Sequence, residues 1–222
     1  MPGWSTTVTT GAGGRPVRRP GCLTSAGREH RRSSRYLFNV TVTEDIDVFC
    51  RTVEARSLEH REAMDVAMER GWWAIAGSVL RMELDSMIRV IYLLRTPEAR
   101  DRILASSVAG KGFKDGERRV LDRTMVEVAV ADNGWVRSVY DFGNKFVHLT
   151  DAHDYAETDA LEAYEQRDEI IRYLNHYHGD TVLGRRLDDG ATLREVAAYA
   201  PRVLEKITSN QRSYIATLRE VG

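Results

Sequence analysis

The stretch YDFGNKFVHLTDAHDY, residues 140–155, brings together side chains that can move protons and hold anions. His148 carries the imidazole, with Asn144 and Lys145 one helical turn before it. A cation and an imidazole on successive turns can face one phosphodiester, the cation stabilising developing charge while the imidazole moves the proton of a ribose 2′-hydroxyl. Such a group needs no metal and no organic cofactor. Arg137 lies eleven residues before His148, roughly 16 Å along a helix axis at about 1.5 Å per residue. It can grip the same phosphate only across a dimer.

At about 100° per residue, Trp135, Val139, Phe142, Phe146 and Leu149 share one helix face, flanked by Val136, Tyr140 and Val147. Arg137, Asp141, Asn144, Lys145 and His148 project from the opposite side. This polar stripe has three readings. It is a solvated face, a surface that docks a protein partner, or the wall of a cleft to which other elements contribute.

Glu83 is the next candidate, because in RMELDSMIRVIYLL it falls inside the apolar arc made by Trp72, Ala76, Val79, Met87, Val90 and Leu94. A buried carboxylate costs several kcal/mol unless it is paired, so a partner from another helix is expected. Arg81, Asp85 and Arg89 form a ladder at i, i+4 spacing on a different side, a solvated or interface stripe. Glu83, or the Arg81/Arg89 ladder, is expected to line the cleft of His148, with Asp141, Arg137 and His153 in support.

The residue types of HLTDAHD and NHYHGD suit zinc or iron: His148, Asp151, His153, Asp154, His176, His178 and Asp180. Their spacing does not, since positions five apart leave a shared helix face. No metal site is assigned, and a metal-dependent hydrolase ranks third among the readings. Gly-rich phosphate loops, nucleophile elbows and HExxH motifs are absent from the sequence.

Helix signals punctuate the chain that must position these groups. Thr43 with Glu44 and Asp45 reads as a helix start and Gly71 as its end. A second helix covers about 72–95, and Thr96-Pro97 opens a third. SSVAGKGFKDG reads as a loop, followed by helices at about 117–131, 135–149 and 159–178. TVLGRRLDDG predicts a hairpin, TLRE a capping box, and a last helix follows Pro201 with Leu204, Ile207, Gln211, Tyr214, Ile215 and Leu218 on one side. The expected fold is all-α, an antiparallel helical bundle with a short β-hairpin near the C-terminus and a disordered basic N-terminal arm.

The 222 residues carry a net charge of −1. Residues 1–35 hold seven arginines against one acid, so that segment is +6 and the remainder −7. The division expected is an Arg/Gly/Ser/Thr-rich arm over 1–40 and a helical-bundle domain over 41–222. An arm of this charge can also bind nucleic acid. No apolar run is long enough to cross a bilayer. Cys22 and Cys50 lack metal-type spacing, which favours a reducing cytoplasm. The 28 arginines against 4 lysines point to a GC-rich, bacterial genome.

With RMELDSMIRVIYLL in one long helix and GNKFVHLTDAH ending a later one, the chain resembles the HEPN superfamily, closest to its defence-associated branches. The resemblance covers roughly residues 70–178. It implies a homodimer that acts on RNA through an arginine a few residues before a histidine, the two motifs facing each other. Only His148 matches here. Asp141, Phe142 and Gly143 stand where the arginine belongs, a departure that touches activity more than fold, since other HEPN relatives are non-catalytic partners. The expectation is therefore a cytoplasmic HEPN-like protein acting on or binding RNA in a bacterial defence or toxin–antitoxin system and, if catalytic, a metal-independent endoribonuclease. The alternative is an interaction module for a protein such as an antitoxin.

Overall fold

The computed structural model describes residues 30–148, 153–154, 159–162 and 164–222, with side chains from residue 42. Most of the expected arm lies outside the described residues. Eight helices and one two-stranded hairpin are present among them. They are α1 (His30–Arg70), α2 (Trp73–Arg95), α3 (Pro97–Val108), β1 (Lys114–Asp115), β2 (Arg118–Arg119), α4 (Asp122–Val130), α5 (Trp135–Val147), α6 (Arg167–Tyr177), α7 (Leu193–Ala197) and α8 (Ala200–Glu220).

The all-α bundle is what the helix patterning predicts. At its centre is α2, which packs against α1, α4, α5 and α8. Leu84, Met87, Ile88, Val90 and Leu93 are each 0% exposed, and they spread around the helix rather than along one stripe. A helix apolar on most sides belongs in a core. Gly71, at φ 67°, ends α1 in the left-handed conformation, and Trp72 N–H returns to Ala67 O at 2.8 Å. That turn reverses the chain so that α1 and α2 pack together.

Two glycines let α5 approach α2 closely. A Cβ on Gly143 would stand 2.6 Å from Arg81 Cβ and 3.3 Å from its Cα, and one on Gly77 would stand 2.6 Å from the Phe146 ring. Neither position has room for a side chain. Ser78 Oγ donates to Phe146 O at 3.1 Å across the same seam.

Several boundaries differ from expectation, each for a local reason. Thr43 is not a cap: α1 begins at His30 and runs through it, since neither Gly nor Pro interrupts the segment. Thr43 Oγ1 instead donates to Gly222 O at 3.3 Å. Thr96 Oγ1 turns back to donate to Tyr92 O at 2.7 Å, so α3 starts at Pro97 without a side-chain cap. The hairpin is present but forms at 114–119, in the segment read as loop, where Gly116 at φ 60° makes the turn and Asp115 pairs with Arg118. Residues 181–190 form turns instead. There the Asn175 side chain occupies both backbone groups of Leu187, accepting from its N–H and donating to its O at 2.8 Å each.

Residues 159–162 and 164–166 are not helical either. The Asp159 carboxylate accepts from Leu161 N–H at 2.8 Å and from Leu193 N–H at 2.9 and 3.0 Å, which ties this turn to the start of α7. Helix α6 then begins at Arg167. The capping box of Thr192 and Glu195 is formed as the sequence predicts. Along α8, Leu204, Ile207, Gln211, Ile215 and Leu218 are buried and Tyr214 is half-buried.

Candidate functional site

The C-terminal half of α5 borders a shallow groove of about 430 Å³. Asp141, Asn144, Lys145 and His148 line it from the helix, and Tyr164, Glu165 and Gln166 from the turn before α6. His148 ends α5 with extended backbone, φ −106° and ψ 149°, and is exposed. The apolar positions opposite hold the helix down, Val136, Val139 and Phe146 being buried. Leu149 lies outside the described residues.

Asn144 is fixed from behind. Arg81 Nε donates to its Oδ1 at 2.9 Å, which leaves the amide nitrogen to donate to a ligand. Burial pushes the Asp141 carboxyl above its ordinary range, and Glu169 adds to the effect while Arg137 opposes it. Tyr164 is 6% exposed, and its hydroxyl has no hydrogen-bond partner among the described residues. Burial, with Asp141 and Glu169 nearby, raises that phenol far above its usual value. The Lys145 ammonium lies 5.7 Å from the Tyr164 ring centroid. The groove thus holds an imidazole, a carboxyl of raised pKa, a second carboxyl and an ammonium, with the buried Tyr164 behind them. Such a set suits proton transfer beside a bound anion.

The other expected contributors lie elsewhere. Glu83 is 0% exposed and does not line this groove. Its Oε1 accepts from Ser57 Oγ at 2.6 Å, Thr208 Oγ1 at 3.2 Å and Gln211 Nε2 at 3.2 Å. Its Oε2 meets His60 Nδ1 at 2.6 Å. Burial pushes this carboxyl up, but the bonds from His60 and Ser57, with the charge of His60, outweigh it and hold the group below the ordinary carboxylate range. The expected partners are therefore present, supplied by α1 and α8.

Arg81 and Arg89 do not form a solvated stripe. Arg81 is 7% exposed, and its guanidinium lies 4.1 Å from the Tyr140 ring centroid. It reaches Asp122 at 3.2 Å and Asp85 at 3.6 Å, and Arg89 pairs with the same two aspartates. The ladder was exposed only in a one-helix view, because α4 brings Asp122 against it. Of this set Arg81 alone touches the groove's residues, through Asn144. Arg137 is half-buried and does not line the groove. His153 stands edge-on to Phe146 with ring centroids 6.3 Å apart.

His178 faces Tyr199 at 5.9 Å, on α8's side of the molecule, whereas His148 lines the α5 groove. Among the described residues no group of three or more His, Cys, Asp or Glu side chains is placed to hold a metal ion. Asp151 lies outside them. No helix among the described residues is long and apolar enough to cross a membrane. Sequence reasoning missed Tyr164, Glu165 and Gln166 because they lie in a segment patterned as helix. No sequence signal marks them, since Asp159 at the expected helix start serves equally as a helix N-cap.

Comparison with protein-family models, with curated proteins and with solved structures finds no match to this chain.

Proposed function

We propose that this chain is a HEPN-like cytoplasmic protein that cleaves RNA without a metal at the α5 groove. The observation that carries the reading is the joint lining of one groove by Asn144, Lys145 and His148 together with the carboxyls of Asp141 and Glu165. In the proposed reaction the 2′-hydroxyl attacks the adjacent phosphorus, and the bond to the 5′-oxygen breaks. A carboxylate of the groove takes the 2′ proton, and the His148 imidazolium protonates the leaving oxygen. The products are a 2′,3′-cyclic phosphate and a 5′-hydroxyl. Lys145 and the Asn144 amide hold the phosphate, and Arg81 acts as a positioning residue for Asn144.

A homodimer belongs to the proposal. Ile75 and Met82 are exposed at 49% and 37% on one face of α2, and Trp72, just before that helix, is exposed at 53%. Val147, 47% exposed, ends the part of α5 that packs on the start of α2. An exposed apolar strip suits a second copy, which would bring another chain's cations, Arg137 among them, toward the phosphate. A defence or toxin–antitoxin role is the setting in which such an activity fits the resemblance.

One observation favours a second reading. The groove carries Lys145 against Asp141 and Glu165, a balance better suited to a basic protein segment, such as part of an antitoxin, than to a polyanion. The test that separates the readings is cleavage of a mixed RNA pool in EDTA by the wild type and by His148→Ala, both sized by light scattering. Chelator-resistant cleavage that disappears in the variant supports the nuclease. A wild type that cleaves nothing removes it and leaves the docking surface.

A further inference from the structure

A second groove, of about 330 Å³, opens between α1, α2 and α3. Its polar lining comes from Arg56, Ser86, Arg89, Ser107 and Thr52, and no carboxylate lines it. The other polar grooves described each include acids: Asp65 and Glu205 between α1 and α8, Asp168 and Asp189 beside α6, and Asp141 and Glu165 beside α5. This one presents cations and hydroxyls alone, above an apolar floor that includes Phe49 and Val53.

Beneath it guanidiniums outnumber the carboxylates within ion-pair reach. Arg56, Arg81 and Arg89 converge on Asp85, and Arg81 and Arg89 also on Asp122, so three guanidiniums share two carboxylates within ion-pair reach. Arg119 adds a further positive charge acting on Arg89. Glu83 and Glu59 attract Arg56 from outside the groove, since neither lines it. Burial lowers the Arg89 guanidinium to about 10, with Arg56, Arg81 and Arg119 contributing in the same direction and Asp122 opposing. Partly desolvated cations that face a groove without a carboxylate in its lining favour an anion from solution.

The donors lining the groove are of the kind that binds an oxyanion. Arg56 bonds Ser86 Oγ at 3.2 Å, while its side chain remains 40% exposed at the mouth. Ser107, half-buried in the last turn of α3, makes no side-chain hydrogen bond among those of the described residues. Two guanidiniums and a free hydroxyl can together surround the oxygens of a phosphate. The apolar floor accommodates a small organic group attached to it.

We infer that the groove bounded by Arg56, Arg89 and Ser107 is a binding site for a phosphate-bearing small ligand, separate from the α5 groove. The site needs no particular activity at His148, and its failure leaves the reading of that groove unchanged. Arg56→Gln is the informative variant, because it removes the contact to Asp85 but leaves two guanidiniums, Arg81 and Arg89, paired with the two aspartates. Ser107→Ala is a second variant, at a position outside that network.

The experiment titrates inorganic phosphate into the full chain at constant ionic strength, by calorimetry and by thermal denaturation, with acetate and a short single-stranded RNA as parallel probes. Phosphate is expected to raise the melting temperature of the wild type above the effect of acetate. Arg56→Gln is expected to weaken its binding about tenfold, in line with the loss of one charge-assisted contact. Equal effects of phosphate and acetate overturn the assignment. So does undiminished phosphate binding in both variants, and so does binding of RNA without binding of phosphate.

Discussion

Glu83 illustrates what one residue can require of three helices. Its carboxylate receives hydrogen bonds from α1 and α8 while fully enclosed, so removing it strands His60, Thr208 and Gln211 together. Breaking such a pair from one side costs about 3–5 kcal/mol. Glu83→Ala is therefore expected to lower unfolding stability in urea by that amount, and a loss below about 1 kcal/mol would mean the network is not formed. The pH dependence has a definite sign. Because folding holds Glu83 below its ordinary range, its contribution is fully present above the unfolded carboxyl value of about 4.3 and is lost as pH falls through the lower folded value. Glu83→Gln should flatten the acid limb of a plot of stability against pH, while a limb as steep as the wild type's contradicts the assignment. His148→Ala, at an exposed position, should stay within about 0.5 kcal/mol of the wild type. That neutrality makes it a usable probe of chemistry. Glu83's inward position was legible, since helical periodicity alone sets it among apolar residues. Its individual partners were not, because Ser57, His60, Thr208 and Gln211 are brought to it only by packing.

Among the elements, the contact of α5 with α2 sets the groove, and it depends on positions without side chains. Gly143→Ala places a methyl 2.6 Å from Arg81 Cβ, an atom held by its own helix rather than the free end of a chain. The helices must part. Overpacking of this kind costs about 1–3 kcal/mol, and the shift also pulls Arg81 from Asn144, so thermal denaturation should show the loss together with weakened activity at the groove. Unchanged stability would show that the seam yields without cost. The existence of the helices could be read from the sequence, as in α2 and α5, whose apolar spacing is regular. Their mutual approach could not, since Gly77 and Gly143 read as weak helix positions until a partner is present. The hairpin was misplaced for a related reason. TVLGRRLDDG has turn residues, but Leu187 pairs with an Asn175 side chain from another element, while KDGERR turns on Gly116 with little apolar signal. Similarly, the Arg81–Asp85–Arg89 ladder looked solvated because Asp122 is distant in sequence and close in space.

At the scale of the molecule, a bundle centred on α2 carries the proposed chemistry at one end of α5. Helix patterning spoke to the fold class, and among the described residues no helix is long and apolar enough to cross a membrane, but the proposed reaction depends on a groove wall from residues 164–166 that no motif announces. The dimer makes a separate prediction. Ile75→Asp on the exposed strip should shift the wild-type mass in light scattering from dimer to monomer without loss of helicity, and a wild type already monomeric at high concentration contradicts that interface. The most direct test of the proposed function follows the ends of the product. Wild type and His148→Ala would be incubated in EDTA with a single-stranded RNA of defined sequence, and the fragments weighed by mass spectrometry. Fragments ending in 2′,3′-cyclic phosphate, formed by the wild type and absent with His148→Ala, are the predicted result. An intact substrate, or the same fragments from both proteins, would contradict His148 as the working group of an RNA-cleaving groove.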